Sequence, residues 1–258
     1  MTTLGDAVAR VLNVQTQSAK PLGIVVAGHN GSGKSTMWRK HLSSKLRIPL
    51  VNADRMMLAV LPEPDNKGRL VGWAAELRDT DQSWMRVAQK GVEAFVAQAM
   101  ANKIPFAMET VFSHWREMPD GVVESKIQLI EQMQREGYFV LLCFVGLTNA
   151  SLSVARVQTR VASGGHDVPL QKLLDRFPRT QLAIRAAAFV ADATILLDNS
   201  LDQRSAFSVC RIQLGEEELF DLRRNDSPPP AILEWLNAVC PIADPGPNAP
   251  ALTAKPGR

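Results

Sequence analysis

Residues 28–35 carry the clearest chemical signal in the sequence. They read Gly-His-Asn-Gly-Ser-Gly-Lys-Ser, which fits the P-loop pattern G-x-x-x-x-G-K-[ST] without exception. In a P-loop, backbone N–H groups surround the β-phosphate of a nucleoside triphosphate, and the positive end of the following helix adds attraction. An apolar run precedes these residues and a helical pattern follows them, as this mechanism requires. The sequence therefore predicts a nucleoside triphosphate site.

Two side chains of this loop have distinct predicted roles. Lys34 is expected to reach the β- and γ-phosphates as a point charge, and the hydroxyl of Ser35 is predicted to be a magnesium ligand. A tight strand-to-helix turn is the alternative interpretation, although a turn requires neither the lysine nor the serine. The predicted nucleotide-binding residues are Gly28, His29, Asn30, Gly31, Ser32, Gly33, Lys34, Ser35 and Thr36.

Two carboxylates follow at the predicted ends of neighbouring strands. In an open parallel sheet, the carboxyl ends of the strands border the ligand crevice. Asp54 ends the second predicted strand, where it could accept a proton from an attacking hydroxyl, hold magnesium through water, or cap the next helix. Glu109 and Thr110 end the third predicted strand. Glu109 at this rim could bind substrate hydroxyls or pair with an arginine.

Four arginines flank a glycine-bearing loop at residues 164–169. Arg156 and Arg160 lie four residues apart on one predicted helical face, and Arg176 and Arg179 follow the loop. A basic helix, a glycine loop and a second basic helix above the crevice would form a lid whose arginines bind phosphoryl oxygens. A solvated basic face is the alternative for each of these arginines.

Signatures of other P-loop classes are missing from the sequence. We find neither the acid pair that ATPases use to position water nor the Asn-Lys-x-Asp motif of GTPases. Residues 198–200, Asp-Asn-Ser, follow the fifth predicted strand and could be functional polar groups, but their residue types are equally typical of a turn. A P-loop alone does not identify the reaction. The downstream acids and arginines favour a kinase that transfers the γ-phosphate to a small molecule.

Alternating strand and helix patterns predict an α/β fold, a three-layer sandwich with a parallel sheet between helices. Predicted strands cover residues 22–27, 48–53, 105–111, 138–145 and 193–197, and residues 207–214 could add a C-terminal strand. Predicted helices cover residues 4–14, 34–46, 83–101, 121–136, 149–161 and 231–239, with one more from residue 170.

The chain of 258 residues is long enough for one large domain. We predict an N-terminal helix in residues 1–18, a kinase domain in residues 19–240 with a lid at about 156–180, and a disordered proline-rich tail in residues 241–258. Apolar residues make up 46% and charged residues 21%, which is ordinary for a globular protein.

Charge and composition also bear on partners and location. A formal charge of +3, spread along the chain, is too weak to indicate nucleic acid as a partner. The three cysteines and four histidines form no disulfide or zinc pattern. The N-terminus lacks a signal-peptide layout, and the longest apolar run, residues 140–147, is too short to span a membrane. We therefore expect a cytoplasmic protein without a membrane partner.

The order and spacing of these segments resemble the zeta-toxin family of P-loop kinases, nearest to its compact bacterial branch. The resemblance covers about residues 22–200 and implies a kinase-type sheet with strand order 2-3-1-4-5. One departure is the Val-Phe-Ser at residues 111–113, where that branch commonly has Thr-Leu-Ser. The matching segments are residues 28–35, 52–54, 109–110, 156–157, 160–161, 164–169, 176 and 198–200.

The resemblance also implies an activity. ATP or GTP with Mg²⁺ would be the donor, and the acceptor in studied toxins is UDP-N-acetylglucosamine, phosphorylated on the sugar 3′-hydroxyl. Those toxins have a small antitoxin partner that blocks nucleotide entry. A different acceptor (another nucleotide sugar, an antibiotic or a polynucleotide end) and a nucleotide-binding module without turnover remain alternatives.

Carried over by position, the resemblance assigns roles to individual residues. Asp54 would be the catalytic base, and Lys34 and Ser35 would contact phosphate and metal. Glu109 and Thr110 would belong to the acceptor site. The lid arginines match best at Arg160 and Arg176, with Arg156 and Arg179 as competing matches.

Overall fold

Strands and helices alternate along the chain, as the apolar pattern predicts. The structure is a computed structural model that describes residues 2–121, 123–163, 165, 167–225 and 228–242. The strands are β1 (Leu22–Gly28), β2 (Leu50–Val51), β3 (Phe106–Thr110), β4 (Trp115–Glu117), β5 (Val123–Ser125), β6 (Phe139–Gly146), β7 (Ala193–Asp198), β8 (Ser208–Leu214) and β9 (Glu217–Asp221). The helices are α1 (Leu4–Ser18), α2 (Lys34–Met37), α3 (Ser43–Leu46), α4 (Ala53–Ala59), α5 (Gly72–Thr80), α6 (Gln82–Ala101), α7 (Ile127–Arg135), α8 (Ala150–Ala162), α9 (Leu170–Val190), α10 (Leu222–Asn225) and α11 (Pro230–Val239). A π-helical turn, Trp38–Leu42, joins α2 to α3, and a 3₁₀ turn, Gln203–Ser205, precedes β8.

The central sheet has the order β2-β3-β1-β6-β7-β8-β9. Its first five strands are parallel, and β8 and β9 extend it in antiparallel fashion. Counted along the five predicted strands, this is the expected order 2-3-1-4-5. The fold class is therefore confirmed, together with the extra C-terminal strand predicted at 207–214. The structure adds β9, which the sequence analysis did not predict.

Helices cover both faces of the sheet. Strands β1, β6 and β7 are buried along their whole length, as expected for strands in the middle of a parallel sheet. Residues of α6, α7, α9 and α11 pack on one face, and residues of α1 and α2 pack on the other. Helix α1 begins with a capping box between Thr3 and Asp6 and buries Leu4, Val8 and Val11. Burying each such aliphatic side chain stabilises the fold by about 1.5–3 kcal/mol relative to leaving it exposed to water.

The second predicted strand, residues 48–53, is too long, since β2 contains only Leu50 and Val51. The side chain of Asn52 accepts a hydrogen bond from the N–H of Arg55 and caps α4. Asp54 therefore lies in the first turn of a helix, not at the end of a strand, and Asn52 rather than Asp54 is the cap. An asparagine side chain competes with strand pairing in this way because it can satisfy a backbone donor locally.

The helix predicted at residues 121–136 is also wrong in its first part. Residues 123–125 form β5, which pairs antiparallel with β4, and α7 begins only at Ile127. Ser125 sets this boundary, because its Oγ accepts from the N–H of Ile127 while its own N–H donates to the side chain of Gln128. Gly137, with φ 78°, follows the end of α7 as predicted.

Some predictions concern residues at the margins of the described structure. Of the tail predicted at 241–258, only residues 241 and 242 are described, and Gly164 and His166 of the glycine loop lie outside the described residues. All three cysteines are buried and unpaired. No helix among the described residues has the length and apolar character needed to cross a bilayer.

Candidate nucleotide and acceptor site

The P-loop connects β1 directly to α2, as its sequence predicts. Gly31 and Gly33 adopt positive φ angles of 72° and 92°, a region that favours glycine. A Cβ atom at Gly33 would lie only 2.7 Å from the side-chain nitrogen of Asn199. Both backbone conformation and space therefore require glycine at this position.

Two neighbouring elements hold the P-loop by its carbonyl groups. Ser153 on α8 donates its hydroxyl to the carbonyl of Asn30 at 2.7 Å. Asn199, which follows β7, donates its amide to the carbonyl of Ser32 at 2.8 Å. These contacts fix the direction of the loop carbonyls, so that the N–H groups on the opposite side of the peptide planes remain available for phosphate oxygens.

The side chain of Lys34 lies inside the loop. Its ammonium group donates to the carbonyls of Gly28 and His29, both at 2.9 Å, and the residue is 8% exposed. Burial lowers the pKa of Lys34 to about 8, because desolvation disfavours the charged form. A bound anion would stabilise the ammonium group, which is the arrangement expected for a phosphate-binding lysine.

Four further charges act on Lys34. After burial, the main influences on the pKa of Lys34 are the carboxylates of Glu109 and Asp54, which raise it. The guanidinium groups of Arg160 and Arg176 lower it. The fold thus brings all of these ionisable residues, which are far apart in sequence, around the P-loop lysine.

Glu109 lies next to Ser35. The hydroxyl oxygen of Ser35 is 2.8 Å and 2.9 Å from the two carboxylate oxygens of Glu109, to which it donates. A hydroxyl and a carboxylate are the hard oxygen ligands that Mg²⁺ prefers. Among the described residues no group of three or more His, Cys, Asp or Glu side chains could hold a metal by itself. Ser35 and Glu109 therefore fit a magnesium ion that takes its other ligands from phosphates and water.

Thr110 is the centre of a second group of contacts. Its Oγ1 accepts from the ammonium of Lys126 at 2.6 Å and from the N–H of Phe112 at 3.1 Å. Phe112 is 1% exposed and has φ 61°, which is rare for a bulky residue. Thr180 on α9 donates to the carbonyl of Val111 at 3.3 Å. This tight turn after β3 links Thr110 to both α7 and α9.

The four candidate arginines occupy different places. Arg160 and Arg176 are the two whose charges act on Lys34. Arg156 packs against the loop, since a Cβ at Gly31 would lie 3.0 Å from its Cβ atom. Arg179 is exposed and donates from Nε to a carbonyl of its own helix at 2.9 Å. The charges of Arg160 and Arg176 therefore act on Lys34, while Arg156 packs on the loop itself.

Helices α8 and α9, which contain the predicted lid, share a small core of their own. Val157, Val168 and Leu173 are its buried members. Helix α9 also contacts the P-loop, because Phe177 stacks on the ring of His29 with centroids 4.0 Å apart and planes 14° apart. This stack places α9 directly over the start of the phosphate loop.

His29 is a buried polar residue of the P-loop. It is 2% exposed, and neither ring nitrogen has a hydrogen-bond partner among the described residues. Burial, assisted by the charge of Lys34, lowers the pKa of His29 to about 3. The imidazole is therefore neutral at physiological pH, and its contacts are with the rings of Phe177 and Phe144.

Comparison with known proteins decides the family. A sequence profile described as "Zeta toxin" matches residues 5–201, well over half of the chain. The chain belongs to the zeta toxin family. It is 27% identical over 143 residues to an uncharacterized protein of Haemophilus influenzae, which covers 55% of this chain and 83% of that protein. The family match includes most of α1, which the resemblance over residues 22–200 did not cover.

Solved structures agree on the fold of this zeta toxin family protein. One comes from a study of the PezAT chromosomal toxin-antitoxin system of Streptococcus pneumoniae, with 14% identity, coverage of 93% of this chain and 90% of that chain, and a TM-score of 0.50. Another is AvrRxo1-ORF1:-ORF2 with ATP, with 15% identity, coverage of 91% and 69%, and a TM-score of 0.56. At these identities the likeness concerns the fold alone. Family membership itself makes this protein a P-loop phosphotransferase that binds a nucleoside triphosphate.

Sequence reasoning missed three polar residues of the site in this zeta toxin family protein. Lys126 lies in the segment predicted to be helical, and Ser153 is one of two serines on α8, so neither carries a distinctive local pattern. Asn199 belongs to the segment that served equally well as a turn. Asp198 and Ser200 do form that turn, with Ser200 Oγ donating to Asp198 at 2.7 Å, while Asn199 holds the P-loop.

Proposed function

We propose that this zeta toxin family kinase transfers the γ-phosphate of ATP or GTP to a hydroxyl of a nucleotide sugar, foremost UDP-N-acetylglucosamine. The observation that carries the proposal is the set of charges around Lys34. Two carboxylates and two arginines act on that one buried lysine. A site that only holds a nucleotide needs no such combination, whereas phosphoryl transfer needs a base and cations around the γ-phosphate.

The donor half of the site has these proposed roles. Lys34 and the N–H groups of residues 28–36 bind the phosphates, with Lys34 at the β- and γ-phosphates. Ser35 holds Mg²⁺, and Glu109 supports the same ion. When bound, the ion neutralises charge on the β- and γ-phosphates. The hydrogen bond between Ser35 and Glu109 supports this assignment.

The acceptor half depends on Asp54, Arg160 and Arg176. The acceptor hydroxyl attacks the γ-phosphorus, the bond from that phosphorus to the β–γ bridging oxygen breaks, and Asp54 takes the hydroxyl proton. Arg160 and Arg176 stabilise the charge on the transferred phosphoryl oxygens. Asp54 acts on the pKa values of both Lys34 and Arg176, which supports its position between the donor and the lid.

The proposal includes a biological role as the toxin of a toxin–antitoxin pair. The fold is similar to that of a protein from the PezAT toxin-antitoxin system, and the family is named for a toxin. A small antitoxin that covers the nucleotide site would then keep the kinase inactive. Expression of the protein alone should arrest growth, and coexpression of a neighbouring reading frame should restore it.

Mass spectrometry of nucleotide sugars tests the activity. After incubation with ATP and Mg²⁺, UDP-N-acetylglucosamine should gain the mass of one phosphate. Lys34→Met should abolish that gain and serves as the control for contaminating kinases. Phosphate gain on a different acceptor in the same panel would contradict the choice of UDP-N-acetylglucosamine. Nucleotide binding with no phosphate gain on any acceptor would contradict the kinase activity itself.

A further inference from the structure

Thr110 and Lys126 meet at the turn after β3, and Arg176 of the proposed catalytic site is near enough for its charge to act on Lys126. Thr110, Lys126 and Arg176 form the donor cluster. Lys126 immediately precedes α7 and donates to Thr110 at 2.6 Å, while Arg176 lies on α9. The charge of Arg176 is near enough to Lys126 to affect its pKa.

The hydroxyl of Thr110 can still donate a hydrogen bond. A threonine oxygen accepts through two lone pairs and donates one proton. Both acceptor positions are used, by the ammonium of Lys126 and by the N–H of Phe112 at 3.1 Å. Thr110 can therefore offer only its O–H to a further partner, and that partner must be an acceptor.

The two cations of the cluster lack close counter-charges. Burial lowers the pKa of Lys126, and the nearby charge of Arg176 lowers it further, while Glu93 opposes both. Among the described residues no carboxylate lies within 4.0 Å of Lys126 or Arg176 as an ion-pair partner. Half-buried cations whose charges repel each other are costly unless an anion joins them.

We propose that the donor cluster binds a phosphate or diphosphate group of the acceptor, with Lys126 as its main ligand. This proposal rests on the proposed kinase function and assigns Lys126 to the phosphate groups of its nucleotide-sugar acceptor. A site that offers an O–H, an ammonium and a guanidinium group, and no acceptor of its own, selects an oxyanion. Thr110 and Lys126 then recognise the acceptor's charge, while Asp54 faces its reactive hydroxyl.

The γ-phosphate of the donor is the other possible source of that oxyanion. The charges that act most strongly on Lys34 are those of Glu109, Asp54, Arg160 and Arg176, and Lys126 is not among them. This favours the acceptor half of the site as the place where Lys126 acts. Arg176 is shared between the two halves of the site, whereas Lys126 belongs to the acceptor half.

Steady-state kinetics with three variants separate these two sources. Lys126→Met removes the charge but keeps an apolar stem, Lys126→Arg keeps a charge, and Lys45→Met on the exposed side of α3 is the matched control. Lys126→Met should raise the KM for UDP-N-acetylglucosamine by about 10- to 100-fold, as expected for a lost charge-assisted hydrogen bond. The KM for ATP should change by less than about threefold, and Lys126→Arg should recover most of the acceptor affinity. A rise in the ATP KM alone would assign Lys126 to the donor and overturn the proposal.

A binding measurement tests the cluster without turnover. Pyrophosphate is titrated calorimetrically into protein saturated with Mg²⁺ and a non-hydrolysable ATP analogue, so that the P-loop is already filled. Wild type and Lys45→Met should bind pyrophosphate equally, and Lys126→Met should bind it at least about tenfold more weakly. If pyrophosphate does not bind to the wild-type complex, or binds equally to Lys126→Met, the proposal is wrong.

Together, the kinetics and the pyrophosphate titration distinguish a failure of the proposed kinase function from a failure of the proposed role of Lys126. If wild type leaves UDP-N-acetylglucosamine unchanged, the proposed acceptor fails, yet the pyrophosphate titration still decides the role of Lys126. Thr110→Val provides a second variant of similar shape that removes the hydroxyl, and with it the donated O–H and the oxygen that accepts from Lys126 and Phe112. It should weaken pyrophosphate binding as well. An unchanged affinity would contradict the proposal that the Thr110 hydroxyl takes part in binding the anion. Thermal melts of each variant report whether it is folded.

Discussion

The hydroxyl of Ser35 donates to the carboxylate of Glu109, with its oxygen 2.8 Å and 2.9 Å from the two carboxylate oxygens. Because the proton is directed at Glu109, the lone pairs of Ser35 remain free for a metal ion. Glu109 therefore orients the proposed magnesium ligand, in addition to any contact with the acceptor that the sequence suggests. The hydrogen bond joins α2 to the end of β3, two elements that approach each other only through the sheet order.

Replacing this carboxylate should weaken the magnesium site. In Glu109→Gln the side-chain amide has donors of its own, which can occupy the lone pairs of Ser35. Loss of such a supporting group typically costs about 10- to 100-fold in metal affinity, so the Mg²⁺ concentration for half-maximal turnover should rise by that factor. Glu131→Gln, an exposed change on α7, is the control. An unchanged Mg²⁺ dependence would show that Glu109 has no part in metal binding.

Asp54→Asn should separate binding from chemistry. Asp54 is exposed in the first turn of α4, where it can meet an incoming hydroxyl. Loss of a general base costs about 10²- to 10⁴-fold in turnover, while ATP affinity should remain close to that of wild type. Glu76→Gln on α5 makes the same chemical change at an exposed position nearby in sequence. Wild-type turnover in Asp54→Asn, measured by phosphate transfer from labelled ATP, would exclude the base role.

Local patterns explain which parts of the site were predictable. The P-loop requires glycines at positive φ and a lysine and a serine at fixed spacing, all within eight residues, so its sequence is sufficient. Contacts between distant residues have no such signal. Asn199 and Ser32 are 167 positions apart, and Ser153 and Asn30 are 123 apart, so their hydrogen bonds arise only when the whole domain has folded.

The ends of strands and helices were predictable only where no side chain competed for the backbone hydrogen bonds of the regular element. The central strands are apolar throughout and were predicted nearly to the residue. At Asn52 and Ser125, short polar side chains form hydrogen bonds with nearby backbone N–H groups, and the strand or helix ends there. Asp54 and Lys126 follow these two residues closely, so the same local bonds decide where the side chains of the proposed base and the proposed acceptor ligand lie.

Asn199→Ala should loosen the P-loop. The amide of Asn199 is the partner of the buried Ser32 carbonyl at 2.8 Å. Leaving a buried acceptor without a partner costs about 1–3 kcal/mol, so the free energy of unfolding should fall by that amount. ATP affinity should fall as well, because the loop loses its fixed direction. Urea unfolding and ATP titration measure the two effects.

The control for Asn199→Ala is Asn102→Ala. Asn102 also donates its side-chain amide to a backbone carbonyl, that of Gln98 at 2.9 Å, but at an exposed helix end. Water can replace this bond, so Asn102→Ala should cost much less. Equal losses of stability in both variants would mean that burial of the Ser32 carbonyl does not matter.

His29 predicts how the stability of the fold depends on pH. Its pKa is about 3 in the folded protein, lowered mainly by burial, and 6.5 is the ordinary value. Between these values the unfolded chain binds a proton that the folded protein excludes. The contribution of His29 to stability is therefore complete above pH 6.5 and declines as the pH falls towards 3. At pH 5 the free energy of unfolding should be lower by about 2 kcal/mol on this account.

His29→Gln should remove this acid sensitivity, because glutamine does not titrate. Urea unfolding at pH 7.5 and at pH 5 gives the loss for each protein, and the wild-type loss should exceed that of His29→Gln by about 2 kcal/mol. His114→Gln is the control, because it makes the same change at an exposed histidine, 3.3 Å from Glu124. That control should lose as much stability as wild type. If His29→Gln and wild type lose the same amount, the ring of His29 accepts a proton in the folded protein and its stack with Phe177 must open in acid.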